Sequence, residues 1–322
     1  MLDIKTGISI IMNRWLGVEP GELILFITDE NHIREKEAVE RWALGQDAAL
    51  KAIRLDSRMV QQGDIIQEIA PLLDSANVIV GATDYSFITT EPVSSAVSKG
   101  ARFLSLPLSC ADGTSLLEND FIDMDPARAQ RKASRLIRHL RQCDMITVTT
   151  RRGTDLRFFK RGREPGCYCG KANRRGSISS ASFEVFVPIE EYKTEGTLIL
   201  DGSFGYLGLV SAPMEIRFQN GRLSTASDSA DARRLLQYMD SFQDDAIYQA
   251  AEFGIGLNSI SRCRGISYIE DESAFHTFHI GFGRNITLGG RQDAAGHFDI
   301  VTHEPTIYAG DTLIMKDGEI AC

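Results

Sequence analysis

Short apolar runs alternate with helix-period segments throughout residues 1–144, and few folds satisfy that order. Gly21-Glu-Leu-Ile-Leu-Phe-Ile-Thr28 reads as a buried strand and residues 33–49 as a helix. Ala52-Ile-Arg-Leu55 is a second strand, and residues 65–73 form a helix. Asn77-Val-Ile-Val-Gly-Ala-Thr83 is a third strand. Pro92 to Lys99 is helical and stops at Gly100, and Ala101-Arg-Phe-Leu-Ser-Leu106 is the fourth strand. Buried strands in strict alternation with helices mean βαβ units and a parallel sheet. A long amphipathic helix from Pro126 to about residue 142 closes the segment, with proline in the first turn where its missing N–H costs nothing. No Gly-x-Gly-x-x-Gly follows any of these strands, which argues against nucleotide binding in this half.

From Met145 the texture changes to shorter β runs with glycine turns: residues 146–150, 156–159, 183–187, 196–202 and 214–218. Asn220-Gly221 is a strong tight-turn signal. A helical stretch from Asp228 to Glu252, opened by Asp/Ser caps, interrupts the strands. The expected fold is therefore α/β: a parallel-sheet βαβ domain over 1–144, then an α+β, strand-rich domain over 145–322 that carries the chemistry. A chain of 322 residues is long enough for two domains. No apolar run is long enough to span a bilayer, and Met1-Leu-Asp-Ile-Lys lacks the regions of a signal peptide, so a cytoplasmic location with no membrane partner is expected. Six cysteines scattered over the chain are expected to be reduced, and Cys167-Tyr-Cys169 lacks the second pair a zinc site needs. A net charge of −9 argues against nucleic acid as a partner. The basic residues Lys160, Arg161, Arg163, Lys171, Arg174 and Arg175 interrupt that acidity, either as a solvated loop or as a patch that meets a substrate carboxylate or a partner subunit.

Four of the six histidines fall between residues 276 and 303, with carboxylates around them. Imidazole nitrogens and carboxylate oxygens suit Zn, Fe, Mn or Co. In His297-Phe-Asp299 the two polar residues are i and i+2, so on a strand both reach one ion while Phe298 packs on the other side. His279 stands eighteen residues upstream among apolar and small residues. Glu184 lies inside an apolar strand and Glu252 at an apolar helix end leading into a glycine-rich turn; an ionised carboxylate in such a place needs a partner, which is either a salt bridge or a common metal. His276 is expected in a supporting role or as an outward strand neighbour, His303 at the surface, and Asp271-Glu272 at a turn or orienting a ligand. His32 and His139 sit in helical, charged contexts.

Phe183-Glu-Val-Phe-Val-Pro-Ile-Glu190, Asp201-Gly-Ser, Ala251-Glu-Phe-Gly-Ile-Gly-Leu-Asn258, Asp271-Glu272, His279-Ile-Gly-Phe-Gly283 and His297-Phe-Asp299 follow one another in the order seen in the M29 metallopeptidases, the aminopeptidase T group, which the chain resembles over most of residues 145–310. That resemblance implies a two-metal site built from Glu184, Glu252, His279, His297 and Asp299, with Zn, Co or Mn as the divalent metal and a homodimeric assembly. The family's nearby tyrosine has no counterpart, since the position seven after His279 is Ile286. The same motifs are similar to those of the 2,5-dihydroxypyridine dioxygenases, where one Fe(II) is held by two histidines and a carboxylate; His279, His297 and Asp299 match that set. The expected function is metal-dependent hydrolysis of a short peptide or small amide, with Glu184 or Glu252 bridging metal or acting as general base. The alternatives are an Fe(II) ring-cleaving dioxygenase of a hydroxylated pyridine or aromatic acid, and a non-catalytic binding protein.

Overall fold

A computed structural model describes all residues except 63 and 226. The chain divides into two compact units, one of Met1–Pro126 with Tyr168–Ser182 and one of Ala127–Cys167 with Phe183–Cys322. The units exchange chain at 126/127, 167/168 and 182/183, whereas the change of texture in the sequence comes at residue 144.

In the first unit, β1 (Leu23–Asp29), β2 (Ala49–Leu55), β3 (Val78–Ala82), β4 (Arg102–Ser105) and, from the returning segment, β8 (Ile178–Ser180) form a parallel sheet in the order β2-β1-β3-β4-β8. β3 and β4 are buried at every position, as central strands of a parallel sheet covered on both faces must be. β2 alternates half-buried with exposed positions because it is an edge. The helix expected over residues 65–73 is instead three short ones, Ser57–Gln62, Asp64–Glu68 and Ala70–Ser75, the last with Pro71 in its first turn.

The second unit opens with the helix Pro126–Leu140. It then holds an eight-stranded sheet, β12-β11-β10-β6-β5-β16-β17-β18, made of β5 (Met145–Thr149), β6 (Asp155–Phe159), β10 (Glu195–Leu200), β11 (Met214–Gln219), β12 (Arg222–Thr225), β16 (Thr306–Ala309), β17 (Thr312–Lys316) and β18 (Glu319–Ile320). The β11–β12 hairpin closes through Asn220-Gly221, both at positive φ, as a two-residue turn requires. A five-stranded sheet, β15-β14-β13-β9-β7, consists of β7 (Gly166–Cys169), β9 (Phe183–Pro188), β13 (Ala250–Gly256), β14 (Thr277–Gly283) and β15 (His297–His303).

Glu252 is not at a helix end. The helix stops at Ser241, Gln243 turns back at a φ of 52°, a 3-10 turn covers Asp245–Tyr248, and Glu252 lies on β13. No glycine or proline marks that stop, and Ala250-Ala251 favours helix by propensity, so strand pairing on both sides decides against local preference.

Period two sorts the five-stranded sheet into two unlike faces. One carries Val185, Val187, Phe253, Ile255, Ile280, Phe282, Phe298 and Ile300, all buried. Phe158 and Phe218 of the eight-stranded sheet meet Phe253 and Phe282 there, with ring centroids 5.3 and 6.0 Å apart. Each such ring contributes about 1.5–3 kcal/mol of burial. The free edge of β15 is covered by the Asp201-Gly-Ser motif: Val301 N–H donates to Ser203 C=O at 2.8 Å, and a Cβ at Gly202 would stand 2.3 Å from Val301 O. Among the described residues no helix is long and apolar enough to cross a membrane, and none of the six cysteines forms a disulfide.

Candidate metal centre

The other face of the five-stranded sheet carries all five residues singled out in the sequence. Register places Gly256 opposite Glu184, Gly254 opposite His279, Gly281 opposite Glu252 and Asp299, and Gly283 opposite His297. Directly paired residues point the same way, so every one of these side chains faces a glycine. The glycines make the room. A Cβ at Gly254 would lie 1.8 Å from His279 Nε2, and one at Gly281 would lie 2.7 Å from the His297 ring and 2.9 Å from Asp299 Oδ1. Glycine weakens a strand interior, and here that weakness makes the space in which the imidazoles and carboxylates converge.

His279 Nε2 stands 2.8 Å from Glu184 Oε2; His297 Nε2 stands 3.2 Å from Glu252 Oε2 and 3.6 Å from Asp299 Oδ1. Glu184, Glu252, His279 and Asp299 are all at most 8% exposed. Glu184, Glu252 and His279 offer ligand atoms within 4.8 Å of one another, as do Glu252, His297 and Asp299, so Glu252 belongs to both groups. The His297 ring is oriented from behind, its Nδ1 lying 2.8 Å from the Arg284 carbonyl, an arrangement in which Nδ1–H donates and Nε2 is left to face the carboxylates.

Burial is the largest influence on Glu252 and pushes its pKa up to about 7, although His297 draws it down. For His279, burial opposes the charged ring, yet Glu184, Asp299 and Glu252 outweigh it and raise the pKa to about 9. Burial also opposes charge on Asp299, but His297 and His279 hold it below the usual carboxylate range. Protons thus stand in for a cation. The donor set, two imidazoles and at least three carboxylates, suits a divalent metal, and two buried atoms, Asp299 Oδ1 and His279 Nδ1, make no hydrogen bond. The residues fit a metal.

Of Asp271-Glu272, expected at a turn or orienting a ligand, one carboxylate faces the site. Glu272 lies on the helix Tyr268–Ser273 rather than at a turn, is 5% exposed, and is held well above its ordinary pKa by burial and by Asp299, Glu184 and Glu252. Its spacing from the other ligands carries no periodic signal, because a separate helix supplies it. Its neighbour Asp271 faces elsewhere and accepts from the backbone N–H groups of Arg264 and Gly265. His276 sits at a φ of 73° with Nδ1 3.2 Å from Gly318 O, and His303 uses its backbone N–H to bind Asp201. Lys160 and Arg163 of the basic segment are buried; Arg163 pairs with Glu191 at 2.8 Å.

His32 stands at the start of the helix Ile33–Ala43, in the charged setting expected of it. With Asp29 and Asp84 it forms a third group of possible ligands, in the first unit. All four carboxylate oxygens there already accept protein hydrogen bonds, from His32, Asn31, Ser57 and the Asp84 N–H. The group is satisfied without an ion.

Comparison with known proteins returns the two groups whose motifs the sequence shares. A family model described as NicX: 2,5-dihydroxypyridine 5,6-dioxygenase matches residues 17–322. Among solved structures, a 2,5-dihydroxypyridine dioxygenase from Pseudomonas putida KT2440 superposes with a TM-score of 0.79 at 17% identity, covering 99% of this chain and 96% of that one. Wild-type AmpT from Thermus thermophilus superposes with a TM-score of 0.64 at 14% identity, covering 99% of both chains. No curated protein matches the chain.

Proposed function

Since the chain belongs to the 2,5-dihydroxypyridine 5,6-dioxygenase family, we propose that it is an iron(II)-dependent, ring-cleaving dioxygenase of a hydroxylated pyridine or a related hydroxylated aromatic acid, with His279, His297 and Asp299 holding the metal. The family match over residues 17–322 carries this reading. It reverses the preference for hydrolysis drawn from the motifs alone. Two histidines and one carboxylate leave coordination positions open, and an iron(II) bound there supplies activation of dioxygen for ring cleavage. Glu252, whose Oε2 faces His297 at 3.2 Å, would accept the proton of a substrate ring hydroxyl. Glu184 fixes the His279 ring through its 2.8 Å contact. The sheet behind these residues and the helix bearing Glu272 exclude bulk water, which strengthens each charge interaction.

One observation favours a second reading. Glu252 belongs to both ligand groups, as a carboxylate bridging two ions would, and a two-ion site of Zn, Co or Mn suits hydrolysis of a peptide or small amide. Elemental analysis of anaerobically purified protein separates the two. One iron per chain, unchanged in Glu184→Gln and Glu252→Gln, is expected for the dioxygenase; two ions per chain, reduced in both variants, would make the hydrolase the working reading. Oxygen uptake with 2,5-dihydroxypyridine tests the activity itself. The homodimer implied by the family resemblance belongs to the same proposal, and a monomer by light scattering at micromolar concentration would remove it.

A further inference from the structure

The helix Pro126–Leu140 buries one side, Ala129, Ala133, Leu136 and Leu140, and carries a stripe of arginine on the other. Arg128, Arg131, Arg135 and Arg138 fall within about 80° of arc on an α-helix, and all four are exposed. No aspartate or glutamate occurs between residues 126 and 143, in a chain whose net charge is −9. Elsewhere exposed arginines are paired: Arg14, Arg151, Arg161, Arg217 and Arg222 each hold a carboxylate. Among the described residues no carboxylate pairs with any of the four. The helix bears this charge against its own electrostatics. Arg128 stands in the first turn, where the helix dipole favours carboxylates. Residues 128, 131 and 135 are each followed three or four positions on by another arginine, a spacing at which like charges repel. Salt screens that repulsion without removing it, whereas an anionic partner removes it.

We propose that this helix face is a docking surface for a short acidic segment of another protein, whose carboxylates the four guanidinium groups take. Arginine suits that role, since its planar fork matches a carboxylate in two hydrogen bonds. The stripe runs for about 15 Å, the length of about five residues of extended chain. Acidic residues bound it: Asp125 directly precedes the helix, while Asp144 and Glu164, the partner of Arg141, belong to its far end. A nucleic acid or a bilayer carries its negative charge on past both limits and meets those carboxylates; a short acidic segment stops within them. Two copies joined by a two-fold axis through this face would set arginine against arginine.

The test measures binding of a fluorescein-labelled octaglutamate peptide to the full chain at low salt by anisotropy. Arg131→Glu/Arg135→Glu should bind about tenfold or more weakly than wild type, with a Tm no lower, because the repulsion within the stripe is relieved. Lys51→Glu/Arg54→Glu, the same change of charge at exposed positions of β2, should bind as wild type does. Equal losses in the two double variants, or no binding by wild type, would overturn the proposal. So would tighter binding of a single-stranded oligonucleotide or of phosphatidylserine vesicles than of the peptide. Self-association of wild type that the Arg131/Arg135 variant loses, read by light scattering, would give the face to a second copy of the chain and overturn it as well.

Discussion

At the residue scale the site depends on what is absent at positions 254 and 281. With a Cβ 1.8 Å from His279 Nε2, Gly254→Ala cannot coexist with the present ring position. The variant should lose most of its bound metal and about 1–3 kcal/mol of stability from overpacking, read by elemental analysis and urea unfolding. His279→Ala and Asp299→Ala should each abolish metal binding, whereas His303→Ala should leave it intact because His303 contributes only its backbone N–H to Asp201. Wild-type metal content in the Gly254 or Asp299 variant would remove the assignment. That these residues come together was legible: His297 and Asp299 from period two, Glu184 and Glu252 from the cost of burying charge. The glycines opposite them are just as visible as letters, but their meaning depends on which strands pair, and pairing between residues 184, 256, 281 and 299 is a long-range property that no local window contains.

At the scale of elements, the segment between β14 and β15 holds the site in shape from outside. Glu191 accepts hydrogen bonds from Asn285 Nδ2, from the Arg291 N–H and from buried Arg163, and Asn285 also reaches the Ala251 carbonyl. Those contacts set the position of the Arg284 carbonyl that orients His297. Arg163→Ala takes the counter-charge from buried Glu191, which keeps its bonds from Asn285 and the Arg291 N–H, so a loss of about 1.5–3 kcal/mol is expected in chemical denaturation. Metal affinity should fall roughly 10–100-fold with it, measured by competition with a chelator, because the support behind a ligating histidine is lost. A destabilised Arg163→Ala with unchanged metal affinity would uncouple the loop from the site. Lys160 and Arg163 sit in a run of positive charge that reads either as a solvated loop or as a patch for a substrate carboxylate or a partner subunit; burial, and for Arg163 pairing across 28 positions to Glu191, are tertiary facts. The same distinction explains Glu252, where helix propensity was overridden by β9 and β14 on either side.

At the scale of the whole molecule the first unit follows the reading of residues 1–106 strand for strand, because strands apolar along their length have one comfortable place, the middle of a parallel sheet. The carboxylate group around His32 was invisible because its members come from the ends of β1 and β3 and the helix start between them. That group makes the stability of the chain depend on pH. Burial disfavours charge on His32, but Asp84, Asp29 and Glu35 outweigh it and raise its pKa above 6.5; its contribution is complete below 6.5 and lost as pH rises through the raised value. Asp84 is held below 3.8 by His32, Asn31 and Ser57 against the effect of burial, so its contribution is present above 3.8 and lost as pH falls through the lowered value. Asp84→Asn should therefore cost about 1–3 kcal/mol between those limits. The gap in Tm between wild type and variant should narrow on both sides, and a gap constant from pH 4 to pH 9 would rule the pair out as its source. The two-faced sheet of the second unit has a different consequence. Sliding β15 by one residue against β14 would bury His297 and Asp299 among phenylalanines and aim Phe298 at the other ligands. An ion can settle only on chains whose edge strand has zipped in the right frame, so metal taken up during refolding would act as a proofreader, counting the correctly threaded molecules one by one.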